Sequence, residues 1–258
     1  IMDRIRSRGT LRVGFDPGNL PFSFINSQGS LVGLDVELAV RLARGLDVRP
    51  EFVLIDWERL PEMLDAGEID VMPGMWYRPN WFGRVHFSEP YMEATVGFAV
   101  RDERRHDFAS VADLRESEGL VIGVPLDAEQ LGASLERYLG NASYETRVIE
   151  FWQPFFEGEH PDIDAFLVPV EHASGWSLLH PEYTAVVPQP DPVRLSIAFG
   201  VASDSVDLAE TIDEWIIVAR DTGTIDAAYG RWVLGQGAEK RQRRWSVAED
   251  VLGWQWGR

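Results

Sequence analysis

Cysteine is absent from the chain. That excludes disulfides, thiolate zinc sites and thiol catalysis together, while constraining the compartment only weakly, since many extracytoplasmic proteins lack disulfides. No stretch approaches the roughly 18 apolar residues of a membrane span, and no leader of charged, apolar and small residues precedes Met2. This start is compatible with a cleaved signal peptide upstream or with a membrane domain to which the module is fused. Positive charge is also scarce: 24 basic residues face 42 acidic ones, for a net charge of −18. Such a field repels phosphate backbones and anionic membrane surfaces, so no nucleic-acid partner is expected. The acidic residues are spread along the chain rather than gathered in a tail, and read as a solvated surface suited to a salty milieu. Phosphate loops, nucleophile elbows and His-x-x-x-His pairs are missing, and the five histidines are scattered. The expectation is therefore no cofactor, no metal and no enzymatic turnover.

What is present is enough apolar material for two lobes: 258 residues, 45% hydrophobic, with 10 Trp and 13 Phe. Strand and helix signals alternate. Leu11 to Phe15 reads as a buried strand, and Leu34, Leu38 and Leu42 with Ala39 and Ala43 form a helical stripe carrying Asp35 in its first turn. Phe52 to Ile55 and Ile69 to Pro73 read as further strands around a short helix, Arg59 to Ala66. A polar connection at Arg101 to Asp107 precedes a second alternating unit: a strand at Leu120 to Val124, a helix at Leu131 to Leu139, a strand at Ile163 to Val168 and a helix at Glu171 to Leu179. Strand-helix-strand alternation implies parallel pairing, hence α/β lobes.

Several segments taken together resemble family 3 extracellular solute-binding proteins, the receptors of polar amino-acid importers: Pro21-Phe22-Ser23-Phe24, Gly33-Leu34-Asp35-Val36, Gly67-Glu68-Ile69-Asp70-Val71, Gly74 to Trp81, and Phe87-Ser88-Glu89-Pro90-Tyr91. The resemblance spans about residues 8 to 235. It implies the periplasmic binding protein-like type II fold, two α/β lobes joined by a two-crossing hinge. Residues 1–100 with 196–258 would form lobe one, 101–195 lobe two, and 236–258 a tail. That tail, with Lys240, Arg241, Arg243, Arg244, Trp245, Trp254 and Trp256, reads either as an interfacial anchor or as a strap that packs Trp245 and Leu252 on lobe one. The resemblance also implies a periplasmic or extracytoplasmic location and, as partners, a small-molecule solute and a membrane transporter or fused membrane domain.

In that family a Thr and an Arg of the first-lobe loop hold the ligand carboxylate, and an Asp of the other lobe holds its ammonium. Here the matching positions are Trp76, Trp81 and Pro169, so a standard polar amino acid is not the expected cargo. In open α/β sheets, ligands gather at the carboxyl ends of strands. The candidate ligand-binding residues are accordingly Asp16, Asn19, Trp57, Gly74, Met75, Trp76, Arg78 and Trp81 in lobe one, and Asp127, Glu129, Pro169 and Glu171 in lobe two. Trp57, Trp76 and Trp81 would wall a pocket suited to a cationic solute, given Glu129 or Glu171 beside it, or to an aromatic solute by stacking. Arg78 offers a cation from a new direction. Two alternatives stand: a ligand-sensing or scaffold domain whose cleft is filled, and a cyclohexadienyl dehydratase-like enzyme using Glu171-His172 as an acid-base pair.

Overall fold

In the computed structural model, which describes residues 1–125 and 129–238, two α/β lobes share one central sheet. In lobe one, the strands Thr10–Phe15 and Arg49–Leu54 pair in parallel. The first of them meets Val71 through an isolated parallel bridge. The helix Leu34–Gly45 covers this layer with Leu34, Leu38, Ala39, Leu42 and Ala43 buried. Its start is fixed by Gly33, at φ 138°, where a Cβ would lie 2.2 Å from the Phe22 carbonyl oxygen. Only glycine tolerates that approach. The helix then donates its Leu34 and Asp35 amides to the Pro21 and Phe22 carbonyls at 3.2 and 2.9 Å, which pins the loop carrying Asn19.

Two long strands, Met92–Arg101 and Val193–Ala202, run antiparallel through the middle of the molecule. Residues 193–197 of the second pair with residues 92–96 of the first. Beyond that point the first strand belongs to lobe two. Its residues 96–100 pair with the strand Ala165–Pro169, and its residues 98–101 pair along the other edge with the strand Tyr183–Val186. The change of partners along this strand falls at Val96. Lobe two continues with Glu118–Pro125 and Ser143–Ile149, parallel to each other. Tyr138, fully buried on the helix Glu129–Leu139, donates its hydroxyl to the Val96 carbonyl at 2.8 Å and accepts from the Val193 amide at 2.9 Å. One side chain thus ties both crossing strands to lobe two.

The strand expected at Ile69 to Pro73 lies three residues later, at Met72–Trp76, antiparallel to the second crossing strand. Pro73 and Gly74 disguise it, because both residues are poor strand formers away from edges and bends. The structure adds elements beyond the expected ones: the small antiparallel sheet of Gly18–Asn19, Ser23–Ile25 and Leu31–Val32, and the strand Ser143–Ile149. None of the helices among the described residues is long and apolar enough to cross a membrane.

Candidate functional site

Gly74 is where the lobe-one loop turns toward the lobe border. At φ 75° it occupies left-handed backbone, and a Cβ there would lie 2.4 Å from Asp35 Oδ2. Its amide donates to the Tyr91 hydroxyl at 3.1 Å, and that hydroxyl donates to Asp35 Oδ1 at 2.6 Å. Burial without a countercharge pushes the Asp35 carboxyl up to about 7, partly offset by the Tyr91 hydrogen bond. Past this turn, Trp76 is buried at the strand end and Tyr77 points elsewhere, its hydroxyl donating to the Ser88 carbonyl at 2.8 Å. Arg78 precedes Pro79 and is extended (φ −114°, ψ 122°), as a residue before proline prefers. The 3-10 turn Pro79–Trp81 then folds Trp81 back, its amide donating to the Arg78 carbonyl at 2.9 Å.

The result is a cluster of three indoles around a guanidinium. The Arg78 guanidinium carbon lies 4.5 Å from the Trp81 ring, 4.7 Å from Trp76 and 5.5 Å from Trp57. Trp57 and Trp81 stack, with centroids 6.2 Å apart and planes within 10°. Trp57 is oriented by its indole N–H, which donates to Asp16 Oδ2 at 2.8 Å, while Asp16 Oδ1 accepts the Gly18 amide at 2.8 Å. The three expected indoles do come together, but the cation they surround belongs to the chain itself. A guanidinium held by its faces keeps its N–H donors in its own plane, directed outward.

Other expected residues take different roles. The Met75 side chain is buried in the lobe-one core with Met72, Trp81 and Val85. Pro169 is buried at the end of its strand, opposite Val96, and opens the helix Val170–Ser177. Glu171 is buried and accepts the Thr95 amide at 3.2 Å with each oxygen and the Tyr229 hydroxyl at 3.3 Å. Burial raises its pKa, against these hydrogen bonds and its own backbone amide. In this structure the side chains of Met75 and Glu171, both expected at the ligand, are buried, and that of Glu171 is hydrogen-bonded to the chain itself. Asp127 and the side chain of Glu129 lie outside the described residues, as does the tail from 239 onward.

His172, which the sequence offers only as the acid-base neighbour of Glu171, takes a different role here. Its Nε2 donates to Asn19 Oδ1 at 2.5 Å, joining the lobe-two helix to the lobe-one loop. Phe22 and Trp152 flank the imidazole at centroid distances of 4.6 and 4.3 Å. Glu171 and His172 therefore diverge, one toward the crossing strand and the last helix, the other toward Asn19, and do not act on a common point. No motif marks His172; only the fold brings Asn19 to it.

The model for bacterial extracellular solute-binding proteins, family 3, matches residues 11–235. The chain belongs to that family. The L-cystine-binding protein TcyJ of Escherichia coli strain K12 is 29% identical over 140 residues, 54% of this chain and 50% of that protein. The chain thus matches only half the length of that curated relative. A cyclohexadienyl dehydratase of Pseudomonas aeruginosa is 24% identical over 241 residues, covering 90% of this chain and 85% of the enzyme. Among solved structures, the ancestral amino acid-binding protein AncCDT-1, a precursor of cyclohexadienyl dehydratase, superposes with a TM-score of 0.74 at 27% identity, covering 90% of this chain and 99% of that one. The fold is the type II periplasmic binding architecture of family 3.

Proposed function

We propose that the chain is an extracytoplasmic solute receptor of an amino-acid-type ABC importer. Its cargo is a small solute with a carboxylate on an aromatic or apolar body rather than a standard polar amino acid. The observation that carries this is Arg78 set among Trp57, Trp76 and Trp81. A guanidinium pairs bidentately with a carboxylate, and indole faces stack on a flat or apolar body. A purely cationic solute is disfavoured, since the chain's own cation sits among the indoles and Glu171 is engaged at Thr95 and Tyr229. The ammonium contact that an aspartate would make is replaced by Pro169, which offers neither charge nor donor. Turnover is not part of this reading, because Glu171 and His172, an adjacent carboxyl and imidazole, face apart.

A thermal-shift screen followed by calorimetry tests this, with indole-3-acetate, benzoate and phenylpyruvate set against betaine, choline, glutamine, arginine and glutamate. A specific ligand at a hundredfold its Kd adds about 2.7 kcal/mol of stability. The expected hits are aromatic carboxylates. Submicromolar binding of a standard polar amino acid or of choline would overturn the ligand assignment, and the absence of any hit across both sets would favour a sensing or scaffold role.

A further inference from the structure

The helix Val170–Ser177 of lobe two meets lobe one at three places. Glu171 reaches Tyr229 on the helix Thr224–Trp232. His172 reaches Asn19. Gly175 lies so close to the Leu20–Pro21 turn that a Cβ would sit 3.1 Å from Leu20 Cγ and 3.2 Å from Pro21 Cδ. We propose that His172 and Asn19 form a ligand-independent latch that holds the lobes together, released on acidification when the imidazole gains a proton. The bond is direct, it crosses the lobe border, and the imidazole is 6% exposed between Phe22 and Trp152. No solute is needed to complete it.

The imidazole donates from Nε2, so Nδ1 carries the lone pair, and among the described residues Nδ1 is buried with no hydrogen-bond partner. A proton added there would be a buried charge without an acceptor, which is costly. Burial alone depresses the His172 pKa to about 3, from an ordinary 6.5. Among the described residues no charged neighbour offsets this. On its own helix, Glu171 faces Thr95 and Tyr229; in the loop of Asn19, Asp16 is engaged by Gly18 and Trp57; behind Gly74, Asp35 is engaged by Tyr91; near Trp152, Glu150 is exposed.

The linkage follows in sign and size. Opening exposes the ring and restores its ordinary proton affinity, so the open form binds a proton that the closed form excludes. Between pH 7.5 and pH 5 the open-to-closed ratio rises about 30-fold from these two pKa values. Glu171 acts in the opposite direction. Its pKa is raised where it meets Tyr229, so acid favours that contact.

The experiment is small-angle scattering of the ligand-free protein at pH 7.5 and pH 5, with circular dichroism to confirm folding. The wild type is compared with Asn19→Ala, His172→Gln and Glu171→Gln, and with the double variant His172→Gln/Glu171→Gln. The expected result is a closed wild type at pH 7.5, a more open Asn19→Ala at the same pH, and opening on acidification that is lost in His172→Gln. In the Glu171→Gln background the acid response should be larger, and adding His172→Gln should abolish it. A wild type already open at pH 7.5, or an acid response equal with and without His172 in both backgrounds, overturns the latch. These outcomes do not depend on any ligand, so they stand apart from the cargo assignment.

Discussion

Replacing Gly74 by alanine should be among the most damaging single changes in lobe one. The residue sits at φ 75°, and the added Cβ would meet Asp35 Oδ2 at 2.4 Å. Left-handed backbone costs a residue with a Cβ about 1–2 kcal/mol. Forcing an extra methyl into a packed site costs about 1–3 kcal/mol more. The total is about 2–5 kcal/mol, read from urea unfolding as a shifted midpoint at constant slope. The two parts separate in a double-mutant cycle. With Asp35→Ala the carboxylate that blocks the methyl is gone, so Gly74→Ala in that background should cost only the backbone part, about 1–2 kcal/mol. The cycle's coupling energy then measures the steric part. A Gly74→Ala loss below about 1 kcal/mol, or the same loss in both backgrounds, would refute the claim that Asp35 and Tyr91 dictate glycine here.

Asp35 itself should shape the pH dependence of stability. Its folded pKa of about 7 lies above the ordinary 3.8, so the folded protein holds a proton that the unfolded chain has lost. Its contribution is complete below pH 3.8 and falls as pH rises toward 7, by at most about 1.4 kcal/mol per pH unit. In Asp35→Asn, denaturant midpoints across that range should lose this component; an unchanged slope would exclude it. Trp57→Phe should cost about 1–2 kcal/mol through loss of the indole N–H bond to Asp16, and a double-mutant cycle with Asp16→Asn should show coupling between the two. Additive losses would mean the bond contributes nothing. For any aromatic carboxylate found to bind, Arg78→Met should weaken affinity at least about 30-fold in calorimetry, and Arg78→Lys should recover it only partly, since an ammonium lacks the planar fork. Full recovery by lysine would argue for a point charge rather than bidentate pairing.

The α/β alternation and the indole loop are legible in the sequence because those signals are local. Leu34, Leu38 and Leu42 repeat at helical spacing, and each is buried. Trp57, Trp76 and Trp81 converge as their motif positions imply. What stays hidden depends on distant pairing. Pro73 and Gly74 conceal the strand Met72–Trp76, which exists because Ala198 and Ile197 pair with Met75 and Trp76. The hydrogen-bond partners of Glu171 are hidden in the same way. Thr95 and Tyr229 lie 76 and 58 residues away, and their donors account for it. The same holds for His172 and Asn19, 153 residues apart. Arg78 is visible as a cation near the indole positions, whereas its seat among the rings requires the turn that Pro79 begins.

The stacked pair Trp57 and Trp81 gives the molecule an optical signature of its own. Two nearly parallel indoles with centroids 6.2 Å apart are close enough for their transitions to couple, and theirs is the one Trp–Trp ring contact among the described residues. Rotation of either ring, as when a solute slides against Arg78, would alter the sign and amplitude of the resulting dichroic couplet. The other tryptophans among the described residues lack an indole partner of this kind. Near-ultraviolet dichroism can therefore follow events at these rings without any attached label.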